Sequence, residues 1–271
     1  MSYRDYHCDG KKDQNCADNE IFFFHDLDSD IITYPMTHQF THLHCHTDYS
    51  LLEGALRTKK LMAQCKEHNM SAVTMTNNGN LYGAVDFYLE AQKNDIKPII
   101  GCEMYVTKDM TDKERRLSRL ILLCKDITGY QNLVKLVTMA HLEAFYYKPR
   151  IDLPHMEGLT EGLVCISPGM RGPVASHLQN NKDEEAHLAA VQLQDLFKDD
   201  FYLGIQKMGM PFEELIFDGS LQIKEKLNIP LVATNDVYFH SKEDAFLREI
   251  LACIQMGKQV EDLNSLRYEN K

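Results

Sequence analysis

From Phe40 onward the chain alternates between short apolar runs and longer stretches in which apolar residues recur every three or four positions. The runs Phe40–Cys45, Ala72–Thr76, Pro98–Val106, Leu120–Cys124, Leu163–Ser167, Phe201–Gln206 and Pro230–Thr234 have strand length and strand composition. Between them, Leu81, Ala84, Val85 and Tyr88 fall on one face of a predicted helix, as do Ala186, Ala189, Ala190, Leu193 and Phe197. Further helices are predicted over about Tyr130–Leu142 and Glu243–Met256. Seven short apolar strands joined by helices predict an α/β fold with a parallel sheet and right-handed crossovers. The bulk of the strands suits a (β/α)-type barrel of about seven strands. A doubly wound open sheet is the alternative.

Residues 1–36 break this pattern. They are rich in Asp, Asn and Lys, and their one apolar patch is Ile21-Phe22-Phe23-Phe24, so they read as a poorly ordered extension before a domain over 37–271. Met36 stands just before the first strand and is a candidate natural start. The run Asp26-Leu27-Asp28-Ser29-Asp30 is not a calcium loop, since Ile31 and Thr37 stand where such a loop needs Gly and Glu. With 44% hydrophobic and 25% charged residues, the chain has globular composition. No apolar run is long enough to predict a membrane-spanning helix, and the polar, acidic start is no signal peptide. The eight cysteines include no CxxC pair and sit mostly in apolar runs, which predicts reduced, buried thiols and a cytoplasmic location. A net charge of −11 repels a phosphate backbone except where basic residues cluster, as at Lys113, Arg115, Arg116 and Arg119, and again at Lys148 with Arg150. The first cluster reads most simply as a solvated helix face.

In a (β/α) barrel, reactive groups gather just past the C-terminal ends of the strands. His44 and His46 are two apart, so on a strand both project to one side, where two imidazoles can share a metal ion. His42 has the same parity but lies deeper. Glu103 and Asp236 follow later apolar runs, and a carboxylate in such surroundings needs a counter-charge or a metal. Any one of these features is weak, and a structural ion pair explains each carboxylate alone. Their convergence on one mouth is the stronger pattern.

The string from His42 to Gly54, His-Leu-His-Cys-His-Thr-Asp-Tyr-Ser-Leu-Leu-Glu-Gly, resembles the opening motif of the polymerase-type PHP (polymerase and histidinol phosphatase) family. Five further matches follow in order, beginning at Gly79, Lys97, Gly129, Phe145 and Pro230. The resemblance covers about residues 37–271 and is specific to the front of bacterial DNA polymerase III alpha subunits. It implies the distorted (β/α)7-type barrel of the PHP fold. It also implies a metal-ion cluster which, where intact, supports phosphodiester hydrolysis, in some members at a DNA 3′ end. Carried over position by position, His44, His46, Glu103 and Asp236 match metal ligands, and Glu53 stands where the family usually has Asp. Four ligand positions depart from the pattern. Asn78, in the pair Asn77-Asn78, and Arg119 replace histidines, Gly169 replaces a cysteine or histidine, and Tyr238 replaces the last histidine. Arg119 adds a permanent cation that opposes divalent ions and is expected to pair with Glu103 or Asp236.

The resemblance therefore implies an eroded site with no resident cofactor, leaving room for one weakly held Zn, Mn or Mg ion. The polymerase palm aspartates of the family have no counterpart in the chain. The expected role is a structural and docking domain, with the rest of the alpha subunit and a proofreading exonuclease subunit as partners and DNA reached only through the full replicase. The alternative is an active metal-dependent phosphoesterase or 3′–5′ exonuclease. An amidohydrolase also begins with His-x-His on a barrel, but it needs later histidines where Gly169 and Met208 stand.

Overall fold

A computed structural model describes residues 40–260. The extension over 1–36, with its aspartate run and Met36, lies outside the described residues, as do Cys8, Cys16 and the polar tail after 260. In chain order the elements are α1 (Thr58–Glu67), β1 (Ala72–Asn78), α2 (Ala84–Lys93), β2 (Lys97–Val106), β3 (Ser118–Cys124), α3 (Ile127–Leu142), β4 (Arg150–Ile151) and β5 (Leu163–Ser167). They continue with α4 (Pro173–Leu178), α5 (Asp183–Phe197), β6 (Phe201–Ile205), α6 (Glu213–Leu227), β7 (Leu231–Ala233) and α7 (Ala245–Met256). The sheet runs β1-β2-β3-β5-β6-β7, with the short β4 beside β2.

The sheet is mixed, which corrects the expectation of parallel strands. β3 runs antiparallel to both β2 and β5, while the remaining pairings are parallel. The reason is the connection. A parallel neighbour needs a crossover, usually a helix, whereas β2 and β3 are joined by a non-helical loop that lets the chain turn straight back. That loop carries Lys113, Arg115 and Arg116, so they do not form a helix face.

The predicted first strand is also altered. Residues 40–45 do not form a regular strand, yet their backbone joins the two ends of the sheet. On one side the carbonyls of His42 and Cys45 accept from the N–H groups of Thr74 and Thr76 in β1, at 3.2 and 2.8 Å. On the other, Val237, just past β7, donates to the His44 carbonyl at 3.1 Å and accepts from the His46 N–H at 2.8 Å. The sheet thus curls on itself as a distorted (β/α)7-type barrel, and the open doubly wound alternative falls away.

The pleat divides each strand between two apolar clusters. Leu120 and Leu122 of β3 pack outward with Leu133 and Leu136 of α3 and with residues of α4, α5 and α6. Ile121 and Leu123 face inward, where they meet Ile166, Leu43, Ile99, Tyr202 and Val232 from across the sheet. Arg119 shares the inward parity of Ile121, and Glu103 that of Ile99. The barrel therefore has an apolar floor and a polar mouth. α5 buries Ala186, Ala190, Leu193 and Phe197 as its periodicity predicts. α2 departs from expectation: it buries Ala84, Phe87 and Ala91, leaving Val85 and Tyr88 68% and 45% exposed. The cysteines between Cys45 and Cys253 are free thiols, buried except for half-buried Cys124.

At the start of α3 the Asp126 carboxylate accepts the Gly129 N–H at 2.9 Å, which caps the helix. Gly129 is packed so closely on the next strand's approach that an added Cβ would lie 1.9 Å from the Gly162 carbonyl oxygen. Backbone on both sides cannot yield cheaply. Gly129→Ala is therefore expected to destabilise the fold by about 1–3 kcal/mol, read from the urea midpoint at unchanged m-value.

Candidate functional site

The antiparallel turn of β3 determines what fills the mouth. Because β3 starts where β2 ends, Arg119 at its beginning lies opposite Tyr105 and beside Glu103. The guanidinium Nη1 donates to the Glu103 carboxylate at very short range and to Asn78 Oδ1 at 2.9 Å. Asn78 Nδ2 in turn donates to Glu53 Oε2 at 2.7 Å, and Glu53 Oε1 accepts from Lys148 Nζ at 3.2 Å and Gln255 Nε2 at 3.3 Å. Two of the predicted ligands, Glu103 and Glu53, are thus engaged by cations and amides. Arg119 also lies over the Tyr105 ring, 4.9 Å from its centroid.

His44, His46 and Asp236 form the second half of the mouth. The two imidazole Nε2 atoms are 3.0 Å apart, and Asp236 Oδ1 lies 3.0 Å from His46 Nε2 and 3.5 Å from His44 Nε2. Glu103 Oε1 is 3.3 Å from His44 Nε2. His44, His46 and Asp236 could together hold a metal ion, with one ligand atom from each lying within 4.8 Å of the others.

Hydrogen bonding assigns the tautomer of His46. Asn77 Oδ1 accepts from the Thr47 N–H at 2.8 Å, from Thr47 Oγ1 at 3.0 Å and from Ser50 Oγ at 3.0 Å. Ser50 has one proton, given to Asn77, so its oxygen accepts from the Asn78 N–H at 3.1 Å and from His46 Nδ1–H at 3.3 Å. Neutral His46 therefore turns a lone pair, on Nε2, toward Asp236 and His44. Groups this close require a hydrogen or a cation between them, either an N–H on His44 Nε2 or a metal ion.

The charge states follow the same logic. Burial alone would lower the His44 pKa, but the Asp236 and Glu103 carboxylates outweigh it and raise it. Burial dominates at His46 and lowers it. Burial opposes the charge on Glu103, yet Arg119 and His44 hold its carboxyl down at about 2. Asp236 is likewise held well below the carboxylate range, against its burial, by His44 first, by His46 when its Nε2 carries a proton, and then by Arg171.

Each of the four departing positions has a defined place. Asn78 links Arg119 to Glu53. Arg119 pairs with Glu103, one of its two expected partners. Gly169 contributes no side chain, and an added Cβ would stand 2.9 Å from the Gly204 carbonyl oxygen. Tyr238 is buried with its ring stacked on His46, centroids 4.2 Å apart, and the Arg248 guanidinium lies 4.0 Å from its centroid. Sequence reasoning missed Arg171, whose charge acts on Asp236 and Glu103 and whose carbonyl accepts the Arg119 N–H at 2.8 Å. Its place two residues after Gly169 was the available signal. The reading also missed Ser50 and Asn77, which have no evident role until the fold brings them under His46. Arg150, paired with Lys148 as a basic cluster, is buried and belongs to the interior.

The PHP domain family model matches residues 42–208, which carry His44, His46 and Glu103 of this mouth, and the chain belongs to that family. Within it, the chain is homologous to bacterial DNA polymerase III alpha subunits. It is 38% identical over 237 residues to that of Borreliella burgdorferi, covering 85% of this chain and 21% of the relative. It is 39% identical over 243 residues to that of Campylobacter jejuni, covering 85% and 20%, and 36% identical over 247 residues to that of Aquifex aeolicus, covering 86% and 21%. The chain spans about a fifth of the length of these relatives. Among solved structures, an amidohydrolase from Chromobacterium violaceum aligns at a TM-score of 0.45 and 12% identity, covering 73% of this chain and 87% of its own. A Bifidobacterium adolescentis protein assigned as a metal-dependent phosphoesterase aligns at 0.43 and 13%, covering 79% and 96%.

Replacing Glu103 by Gln strips Arg119 of its buried counter-charge and is expected to cost about 3 kcal/mol at neutral pH. The carboxyl titrates at about 2 in the fold against an ordinary 4.5. Its contribution is therefore complete above pH 4.5 and is lost as pH falls toward 2. Denaturation of both proteins across that window should show the gap between them closing in acid.

Proposed function

We propose that this chain is the PHP domain of a bacterial replicative DNA polymerase alpha subunit and serves DNA replication as a structural and docking element, not as a nuclease. The observation that carries this reading is the Arg119 guanidinium lodged against Glu103 and Asn78. A permanent cation there occupies the space and charge that a further divalent ion would need. Arg171 adds a second cation whose field lowers the Asp236 pKa. Glu53, a displaced ligand by family resemblance, is committed to Lys148, Asn78 and Gln255.

The residues fit one ion rather than a cluster. His44, His46 and Asp236 would hold it, and two imidazoles with one carboxylate suit Zn, with Mn or Mg bound more weakly. Such an ion would act as a Lewis acid on a phosphoryl oxygen. Ser50 and Asn77 keep His46 in the ligating tautomer, while Arg119 keeps Glu103 from serving a second ion. In-line phosphodiester cleavage by paired metals needs both the attacking and leaving oxygens braced, and the second seat is taken. The partners of this reading are the remainder of the alpha subunit and a proofreading exonuclease subunit, in the cytoplasm where the replicase works.

The convergence of His44, His46 and Asp236 favours a second reading, an active phosphoesterase or 3′–5′ exonuclease. Metal analysis and a nuclease assay separate the two. Purified protein is expected to hold well under one equivalent of Zn or Mn and to leave single-stranded DNA intact. About three tightly bound ions, together with cleavage abolished by His44→Ala, would overturn the docking reading.

A further inference from the structure

We propose that a row of surface rings beside the β2–β3 loop is a binding track for single-stranded nucleic acid. This goes beyond the reading above, which leaves DNA contact to the full replicase, and it does not depend on the chemistry of the mouth.

The loop sets the exposed cations Lys108, Lys113, Arg115 and Arg116 against the exposed carboxylates Asp109, Asp112 and Glu114, a small positive excess on a chain whose net charge is −11. It is not a loose tether. Buried Arg150 donates from Nη1 to the carbonyls of Asp112 and Glu114 at 2.7 and 3.1 Å, and from Nη2 to that of Met110 at 3.2 Å. Its Nε donates to the Ala144 carbonyl at 3.0 Å. Ala144 opens the turn that presents Phe145 and Tyr147, so one interior side chain fixes the basic loop against the aromatic turn.

Tyr147 adopts φ 61°, a left-handed conformation uncommon for a bulky residue, and its side chain is 64% exposed. Arg115 Nη2 donates to the Tyr147 hydroxyl at 2.6 Å, with the guanidinium 4.2 Å from the ring centroid. The pair offers a flat stacking surface with N–H groups beside it. Two residues back, Phe145 is 57% exposed, and the row continues through half-buried His141, whose Nε2 bonds the Gly79 carbonyl at 2.8 Å, to Tyr82, 62% exposed. Successive centroids along Phe145, His141 and Tyr82 are 6.2 and 6.3 Å apart.

That spacing exceeds the roughly 3.4 Å rise per base of a duplex strand, so the row suits bases splayed from an open strand. A duplex keeps its base faces stacked and out of reach. Rings for bases beside cations for phosphates is the combination by which proteins hold single strands without sequence preference.

The test is fluorescence anisotropy of the 271-residue chain with labelled oligothymidine in EDTA, so that metal at the mouth plays no part. Binding is expected with a Kd of roughly 1–100 µM at physiological salt, and more weakly for a duplex of the same length. The triple variant K113A/R115A/R116A should flatten the slope of log K against log salt by about 2, near 0.7 for each phosphate left without a cation. Phe145→Ala should weaken binding about tenfold with the slope kept, and Phe145→Tyr should retain affinity. Circular dichroism checks that each variant is folded. If any variant unfolds, protection of Tyr82 and Phe145 amide exchange by oligothymidine in the unmodified chain decides the matter. No binding, equal binding of duplex, or loss with the charge variant alone would overturn the track.

Discussion

Glu103 sits inside the barrel mouth almost wholly out of water, where an uncompensated carboxylate would cost several kcal/mol. The Arg119 guanidinium answers it directly. The remaining geometry of the mouth follows from that pairing. Asn78 uses its carbonyl oxygen for Arg119 and its amide for Glu53, and Lys148 completes the charge around Glu53. Arg171 adds its positive field to Asp236 without pairing with it directly. Protein cations thus stand next to the carboxylates of Glu103 and Glu53.

The two halves of the mouth differ in what they still require. Around Glu103 and Glu53, charge is met by fixed side chains. Around His44, His46 and Asp236, acceptor atoms face one another across about 3 Å, and the Ser50–Asn77 relay keeps a His46 lone pair turned inward. That half asks for a proton or a cation, and the raised pKa of His44 shows how a proton meets the need. Closure of the barrel keeps the halves together, because the 42–46 backbone that carries both histidines is bonded to β1 on one side and to Val237 on the other. Asp236 arrives with Val237, so hydrogen bonds that close the sheet also set the histidine–carboxylate distances.

Much of this was legible along the chain. Regular apolar runs marked most strands, since a run shielded on both faces has no polar positions to confuse it. His44 and His46 were legible because a two-residue spacing has one meaning on extended chain, and Arg119 because a cation stood where a ligand belonged. The reversal of β3 was not legible, because apolar content is the same in either direction and only the non-helical loop before it decides the sense. Val85 and Tyr88 were misplaced because α2 carries apolar residues on both faces. Arg150 looked like surface charge, and only its carbonyl partners reveal a buried clamp.

By itself the sequence determined the fold class, the family and the residue types at the mouth, because hydrophobic periodicity and motif order are local properties of the chain. Which carboxylate Arg119 would meet, that Arg171 would join it, which way His46 would turn its lone pair, and that Phe145, His141 and Tyr82 would fall in a row were decided by tertiary structure. Each of these depends on distances between residues far apart in the chain. Such distances exist only once β3 has reversed and the sheet has closed.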